Sequence, residues 1–172
     1  MKFVFLFCSM SLALFMVSCN QNNDKRKSFN DVVEYNDFIV DHIEKVNAVY
    51  TQALDTSLSI EEALKACDEL TQLCEKSTLE LKNIQPFDGD SSLTMQTLQY
   101  FQYMKVNGNT KITHFLNLED RYLKSDFTDE EALIGEIEAA IGKINLEQEI
   151  ESEKVNVVQK KFATKHDMLI LN

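Results

Sequence analysis

Residues 30–55 have the sequence NDVVEYNDFIVDHIEKVNAVYTQALD, in which apolar side chains recur every three or four residues. The recurring positions are Val32, Tyr35, Ile39, Ile43, Val46 and Tyr50. This spacing puts one apolar stripe along an α-helix, and Asn30 is a residue type that caps helix N-termini. The pattern therefore predicts a first helix over residues 31–55 with one face turned towards a core.

The same period continues through the rest of the chain and predicts three more helices. A Ser-x-x-Glu capping box at residues 59–62 opens the second helix, which ends before a Pro- and Gly-containing loop at residues 85–90. A third helix is predicted over residues 91–124. A Thr-x-x-Glu capping box at residues 128–131 opens the fourth helix, over residues 129–165.

The segment Asn107-Gly108-Asn109 allows two interpretations. Asn-Gly favours a reverse turn, which would give five helices. A kink fits the lengths better, because an uninterrupted helix over 91–124 has 34 residues, close to the 37 of 129–165, so the two can pair as an antiparallel hairpin.

One Pro and four Gly in the chain argue against an all-β fold. We predict an all-α, up-down-up-down four-helix bundle with the third helix kinked near Gly108.

The start of the chain has the composition of a secretory signal. A positive charge at Lys2 precedes an apolar run over residues 3–15, which is shorter than the roughly 20 residues of a membrane-spanning helix. The segment Phe15-Met16-Val17-Ser18-Cys19 resembles a lipobox, the motif of bacterial lipoprotein precursors in which a small residue precedes an obligatory cysteine.

The resemblance implies that the Cys19 thiol receives a diacylglycerol and that signal peptidase II cleaves between Ser18 and Cys19. The chain would then divide into a signal peptide (1–18), a lipidated cysteine with a polar tether (19–29) and a helical bundle domain (30–172). The mature protein would be lipid-anchored in a bacterial cell envelope, either periplasmic or surface-exposed. An ordinary signal with an incidental cysteine and an uncleaved anchor helix are the alternatives.

The charge of the chain limits its partners. It carries 28 Asp and Glu against 17 Lys and Arg, a net charge of −11. Such a field repels phosphate backbones, so nucleic acid is excluded as a partner. The basic cluster Lys25-Arg26-Lys27 is predicted to be a solvated linker, and contact with lipid phosphates is the alternative.

Two cysteines, Cys67 and Cys74, lie on the predicted second helix. Seven residues of helix separate their Cα atoms by about 10.5 Å, which is beyond the reach of a disulfide bond. We predict that both are buried thiols that act as small apolar groups. Intermolecular pairing or a reactive thiol is the alternative.

No pattern for a metal or a cofactor is found. The Glu-x-x-His pairs of di-iron bundles are absent, and residues 88–99 lack the Glu that an EF-hand needs at loop position 12. The three histidines, His42, His114 and His166, are predicted to lie at the surface or its edge. No nucleophile–base pair stands out either, so an enzyme is not expected.

Two residue clusters invite a functional interpretation but have a simpler structural one. The acidic run Glu147, Glu149, Glu151 and Glu153 is predicted to be a solvated face rather than a metal site. The stripe Tyr100, Phe101, Tyr103 and Met104 is predicted to be core rather than the lining of a ligand pocket.

The end of the predicted second hairpin is the candidate partner surface. The third and fourth helices exceed the first two in length, so their tip would project with only its own residues to cover its apolar side chains. Tyr122, Leu123 and Phe127 are the residues that we predict to contact a partner. The alternative is that Gly108 bends the third helix, so that this segment folds back and is buried.

These observations favour a non-enzymatic module that binds another protein from a membrane anchor. The alternative is a small-molecule or lipid carrier with a pocket between its helices. An exposed apolar patch over a filled core would favour the interaction module, whereas an aromatic pocket with one convergent polar group would favour the carrier.

Overall fold

The computed structural model describes residues 24–125 and 130–168. These ranges contain five α-helices: α1 (Val32–Ala53), α2 (Ile60–Lys82), α3 (Ser92–Val106), α4 (Thr113–Leu123) and α5 (Glu130–Lys165). A π-helical segment, Asn107–Ile112, joins α3 to α4, and the described residues form no strand. The predicted all-α class is confirmed.

The helix starts are capped largely as the sequence predicts. Asp31, rather than the predicted Asn30, caps α1, because its carboxylate accepts hydrogen bonds from two amide groups of the first turn at 2.6 and 3.3 Å. The capping box of α2 is confirmed, with Ser59 and Glu62 each accepting from the other's backbone amide at 3.3 and 2.9 Å. The predicted box at Thr128 lies outside the described residues.

The Asn-Gly-Asn segment is helical and not a reverse turn. Asn107 (φ −62°, ψ −48°) and Thr113 (φ −59°, ψ −39°) both have helical backbone angles, and the residues between them widen into a π-helical turn. Gly108 is buried against α2, where an added Cβ atom would lie 2.9 Å from Cδ2 of Leu70. An alanine at this position would push the end of the Leu70 side chain aside, whereas its Cβ atom would make an ordinary contact of 3.6 Å with the carbonyl oxygen of Cys67. A kink of the helix axis at Gly108 stays a prediction.

The core lies between helices that contact one another in a continuous series. α1 packs on α2, α2 on α3, and α5 on both α3 and α4. The large side chains that are less than 2% exposed include Tyr35, Leu70, Tyr100, Phe101, Met104 and Phe162. The prediction that Tyr100, Phe101 and Met104 are core residues is thereby confirmed. The up-down-up-down order itself stays a prediction.

His42 corrects the prediction that every histidine lies at the surface or its edge. Its side chain is buried on α1, where Nδ1 lies 3.0 Å from Oγ of Ser77 on α2. The Ser77 hydroxyl satisfies one ring nitrogen, which lowers the cost of burying the imidazole. Burial is also the main reason that the pKa of His42 is lowered.

One end of the bundle, which we call the base, holds the start of the described chain. The amide of Lys27 donates to the carbonyl oxygen of Asn83 at 2.9 Å, and the amide of Gln85 donates to the carbonyl oxygen of Lys27 at 2.7 Å. Lys27 Nζ also lies 3.9 Å from the centre of the Phe38 ring. Lys27, which the sequence analysis places within the polar tether, is therefore bound to the bundle.

The C-terminal end of α5 completes the base. Nζ of Lys165 donates to the Asp90 carboxylate at 2.5 Å, and the amide of Ser92 donates to the same carboxylate at 2.9 Å. These contacts hold the pKa of Asp90 well below its usual range. The ring of His166 packs on Phe162, with 4.5 Å between ring centroids. The start of the described chain, the 83–90 connection and the end of α5 thus meet at the base.

Candidate functional site

Three of the predicted site residues, Ser18, Cys19 and Phe127, lie outside the described residues. Tyr122 and Leu123 are described, and they occupy the last turn of α4. Tyr122 is half-buried and donates a hydrogen bond to Glu130 at 3.0 Å, whereas Leu123 is 69% exposed.

The prediction that this tip projects beyond the first hairpin is wrong for α4. Phe115, Leu116 and Leu118 are at most 4% exposed, because α4 packs against α2 as well as α5. The connection between α1 and α2 adds further apolar cover to the same end of the bundle. The apolar residues of α4 are thus largely part of the packed domain.

A pocket opens where α4 meets the α1–α2 connection, and we call it the distal pocket. Its volume is about 440 Å³. The α1–α2 connection and start of α2 contribute Leu54, Asp55, Thr56, Leu58, Ser59, Ile60 and Ala63. The helices α4 and α5 contribute Phe115, Leu116, Glu119, Tyr122, Leu123, Ile134 and Ile137. Tyr122 and Leu123, which the sequence predicts to contact a partner, thus lie in the wall of this pocket.

Glu119 is the acidic residue of the distal pocket whose pKa is raised. Its side chain is half-buried, and burial raises the pKa of its carboxyl group. Asp55, the other acid in the lining, differs, because hydrogen bonds from Ser57 lower its pKa. Glu119 follows Leu116 by three residues and Phe115 by four, so its position on the apolar face of α4 could have been predicted from the sequence.

A second candidate surface, which we call the α5 row, runs along the outer face of α5. Leu146, Ile150 and Val157 are 59%, 48% and 39% exposed. The acidic side chains of Glu149 and Glu153 lie beside them and are also exposed. Their spacing of four and seven residues could have revealed this row beside the stripe that faces the core.

The acidic run of α5 is only partly the solvated face that was predicted. Glu147 and Glu151 are half-buried and make ion pairs with Lys111 and Lys154. Their even-numbered neighbours are not acids, so the odd spacing spreads the four carboxylates around the helix. Two of them consequently border the α5 row, and two pair with lysines.

Cys67 and Cys74 are buried and free, as predicted. Burial raises the pKa of Cys67 to about 11 and that of Cys74 to about 12. The thiolate is the reactive form of cysteine, so both side chains are chemically quiet at neutral pH.

We expect both thiols to react slowly with iodoacetamide at pH 7 in the native protein and rapidly after unfolding in guanidinium chloride. Peptide-resolved mass spectrometry at successive times would measure the two rates separately. Rapid native labelling at both positions would contradict the packing of this face of α2 against the core.

Two further features of the described ranges bear on function. No group of three or more His, Cys, Asp or Glu side chains there is placed to hold a metal ion. No helix within residues 24–125 and 130–168 is both long and apolar enough to cross a bilayer.

The distal pocket and the α5 row are two candidate sites on the described residues. In comparison with known proteins, the chain matches no family model, no curated protein and no solved structure.

Proposed function

We propose that this chain is a lipid-anchored protein of a bacterial cell envelope whose helical domain binds another protein and catalyses no reaction. The resemblance of residues 15–19 to a lipobox supports the anchor, with Cys19 as the lipidated residue and the periplasm or the cell surface as the location. The observation that carries the binding role is the exposed apolar α5 row.

The α5 row has the geometry of a helix-docking face. Leu146 and Ile150 are one turn apart, and Val157 follows two turns later, so the three side chains project from one side of α5. A second amphipathic helix can place its own apolar residues between them, as in recognition by helix packing. Contiguous exposed apolar residues of this kind mark interaction sites more often than isolated ones do.

The charges beside the row favour a partner with basic side chains. Glu149 and Glu153 flank the apolar side chains, and Lys154 is already engaged by Glu151 at 2.6 Å. A partner helix with lysines or arginines beside its apolar stripe would complement these carboxylates. A second copy of this chain would instead bring carboxylates against carboxylates, at a net charge of −11 on each molecule. We therefore assign the row to a cationic amphipathic helix of another protein.

We expect the full chain, held in nanodiscs of zwitterionic lipid, to bind a synthetic amphipathic peptide with a lysine-rich polar face. Binding of a peptide with the same leucine face and a glutamate-rich polar face should be at least about tenfold weaker. The double variant Leu146→Ser/Ile150→Ser should lose about tenfold in affinity for the cationic peptide, measured by fluorescence anisotropy against empty nanodiscs.

Leu79→Ser is the matched control, because Leu79 is an equally apolar and 69% exposed residue that lies on α2. It should leave the affinity unchanged, and all variants should retain the thermal unfolding midpoint. Equal binding of the two peptides, or an unchanged affinity of the double variant, would overturn the proposal. Self-association of the full chain that the double variant abolishes would assign the row to a second copy instead.

A further inference from the structure

The distal pocket is separate from the α5 row and offers a different kind of site. Its lining on α5 consists of Ile134 and Ile137, several turns before Leu146. Its volume of about 440 Å³ falls within the range of roughly 300–1,000 Å³ that small-molecule sites occupy. An inference about its ligand therefore stands independently of the proposed protein partner.

The walls of the pocket are mainly apolar and come from three parts of the fold. Phe115 and Leu116 are buried side chains of α4, and Ile60 and Ile137 are half-buried residues of α2 and α5. An apolar ligand would cover these side chains and remove them from water, which favours binding in proportion to the apolar area buried.

Glu119 gives this apolar pocket a chemical preference. Arg121 and Lys124 are the cations nearest to Glu119 in the sequence. Arg121 pairs with Glu136, and Lys124 pairs with Asp120, so both are engaged elsewhere. Burial is the cause of the raised pKa of Glu119, with no cation offsetting it. A half-buried carboxylate without a counter-charge is costly, and a positively charged ligand group would supply that charge.

We propose that the distal pocket binds a small apolar molecule that carries one ammonium group. The ammonium group pairs with the Glu119 carboxylate, and the apolar part lies against Phe115, Leu116 and Ile137. The acidic surface of the protein favours the approach of cations and disfavours carboxylates and phosphates. The carrier hypothesis called for an aromatic pocket with one convergent polar group; the distal pocket places Glu119 with Phe115 and Tyr122, and its lining also includes Asp55, Thr56 and Ser59.

Three probes with the same hydrocarbon chain separate the contribution of charge from that of apolar contact. Octylammonium, octanol and octanoate, each below its micelle-forming concentration, would be titrated into the full chain in nanodiscs and followed by isothermal titration calorimetry. We expect octylammonium to bind at least about tenfold more tightly than octanol, and octanoate more weakly than octanol. Glu119→Gln should remove the preference for octylammonium and leave the affinity for octanol unchanged, which shows that the pocket remains intact.

Glu138→Gln is the control for a general loss of negative charge, since Glu138 is an exposed acid of α5 outside the pocket lining. It should retain the preference for octylammonium. Equal affinities of the wild-type chain for octylammonium and octanol would assign the pocket to neutral apolar ligands and overturn the proposal. The absence of binding of all three probes would overturn it as well, as would an equal loss of octylammonium affinity in both glutamine variants.

Discussion

Replacing Phe162 with alanine should lower the free energy of unfolding by about 3–5 kcal/mol, the usual cost of truncating an aromatic ring inside a core. The Phe162 side chain is 1% exposed, and its ring centre lies 5.4 Å from that of Tyr35 on α1. The same ring contacts His166 at the end of α5, so its loss would leave a cavity between two helices and the base. Equilibrium unfolding in urea, followed by circular dichroism, would measure the change.

Val157→Ala provides the matched control for this change. Val157 lies on the same helix but is 39% exposed, so its truncation should alter the free energy of unfolding by no more than about 0.5 kcal/mol. A loss of less than about 1 kcal/mol for Phe162→Ala would contradict the tight packing of α5 at the base.

Replacing Cys19 with serine should abolish attachment to the membrane, because the thioether to diacylglycerol requires the thiol. Each buried CH₂ group of an acyl chain contributes about 0.8 kcal/mol to membrane binding, and two chains together give stable anchoring. The variant should therefore accumulate as an unprocessed precursor or as a soluble product. Metabolic labelling with an alkyne fatty acid, followed by fractionation of the envelope, would measure this.

Cys8→Ser is the control for this experiment. Cys8 also lies in the N-terminal region, but Phe7 precedes it and the apolar run continues beyond it, so it does not fit a lipobox. This variant should be labelled and anchored like the wild type. An unmodified Cys19 in the mature wild-type protein, found by mass spectrometry, would refute the lipoprotein proposal.

The helices could be predicted because their signals are local. The apolar period of residues 30–55 and the Ser59–Glu62 capping box depend on neighbours within one or two turns, and both correspond to observed helices. The cap of α1 was misplaced by one residue because Asn30 and Asp31 are both good capping residues and only the folded geometry selects between them.

The features that were missed depend on contacts between segments that are distant in the sequence. His42 looked like a surface residue because its partner, Ser77, lies on another helix. The distal pocket could not be predicted for the same reason, since its lining comes from three separate parts of the chain. The helical period shows which face of a helix is apolar, but it does not show which other helix covers that face.

The way in which Lys27 joins the base also has a mechanical consequence. A pull on the chain ahead of Asp24 would reach the hydrogen bond from the Gln85 side chain to the Asp24 carbonyl oxygen, and then the two backbone hydrogen bonds of Lys27, before it reached the first turn of α1. The hydrogen bonds of Lys27 should therefore protect α1 from unfolding under such a load. α1 has 22 residues and is therefore about 33 Å long, so the distal pocket at its far end is remote from such a load.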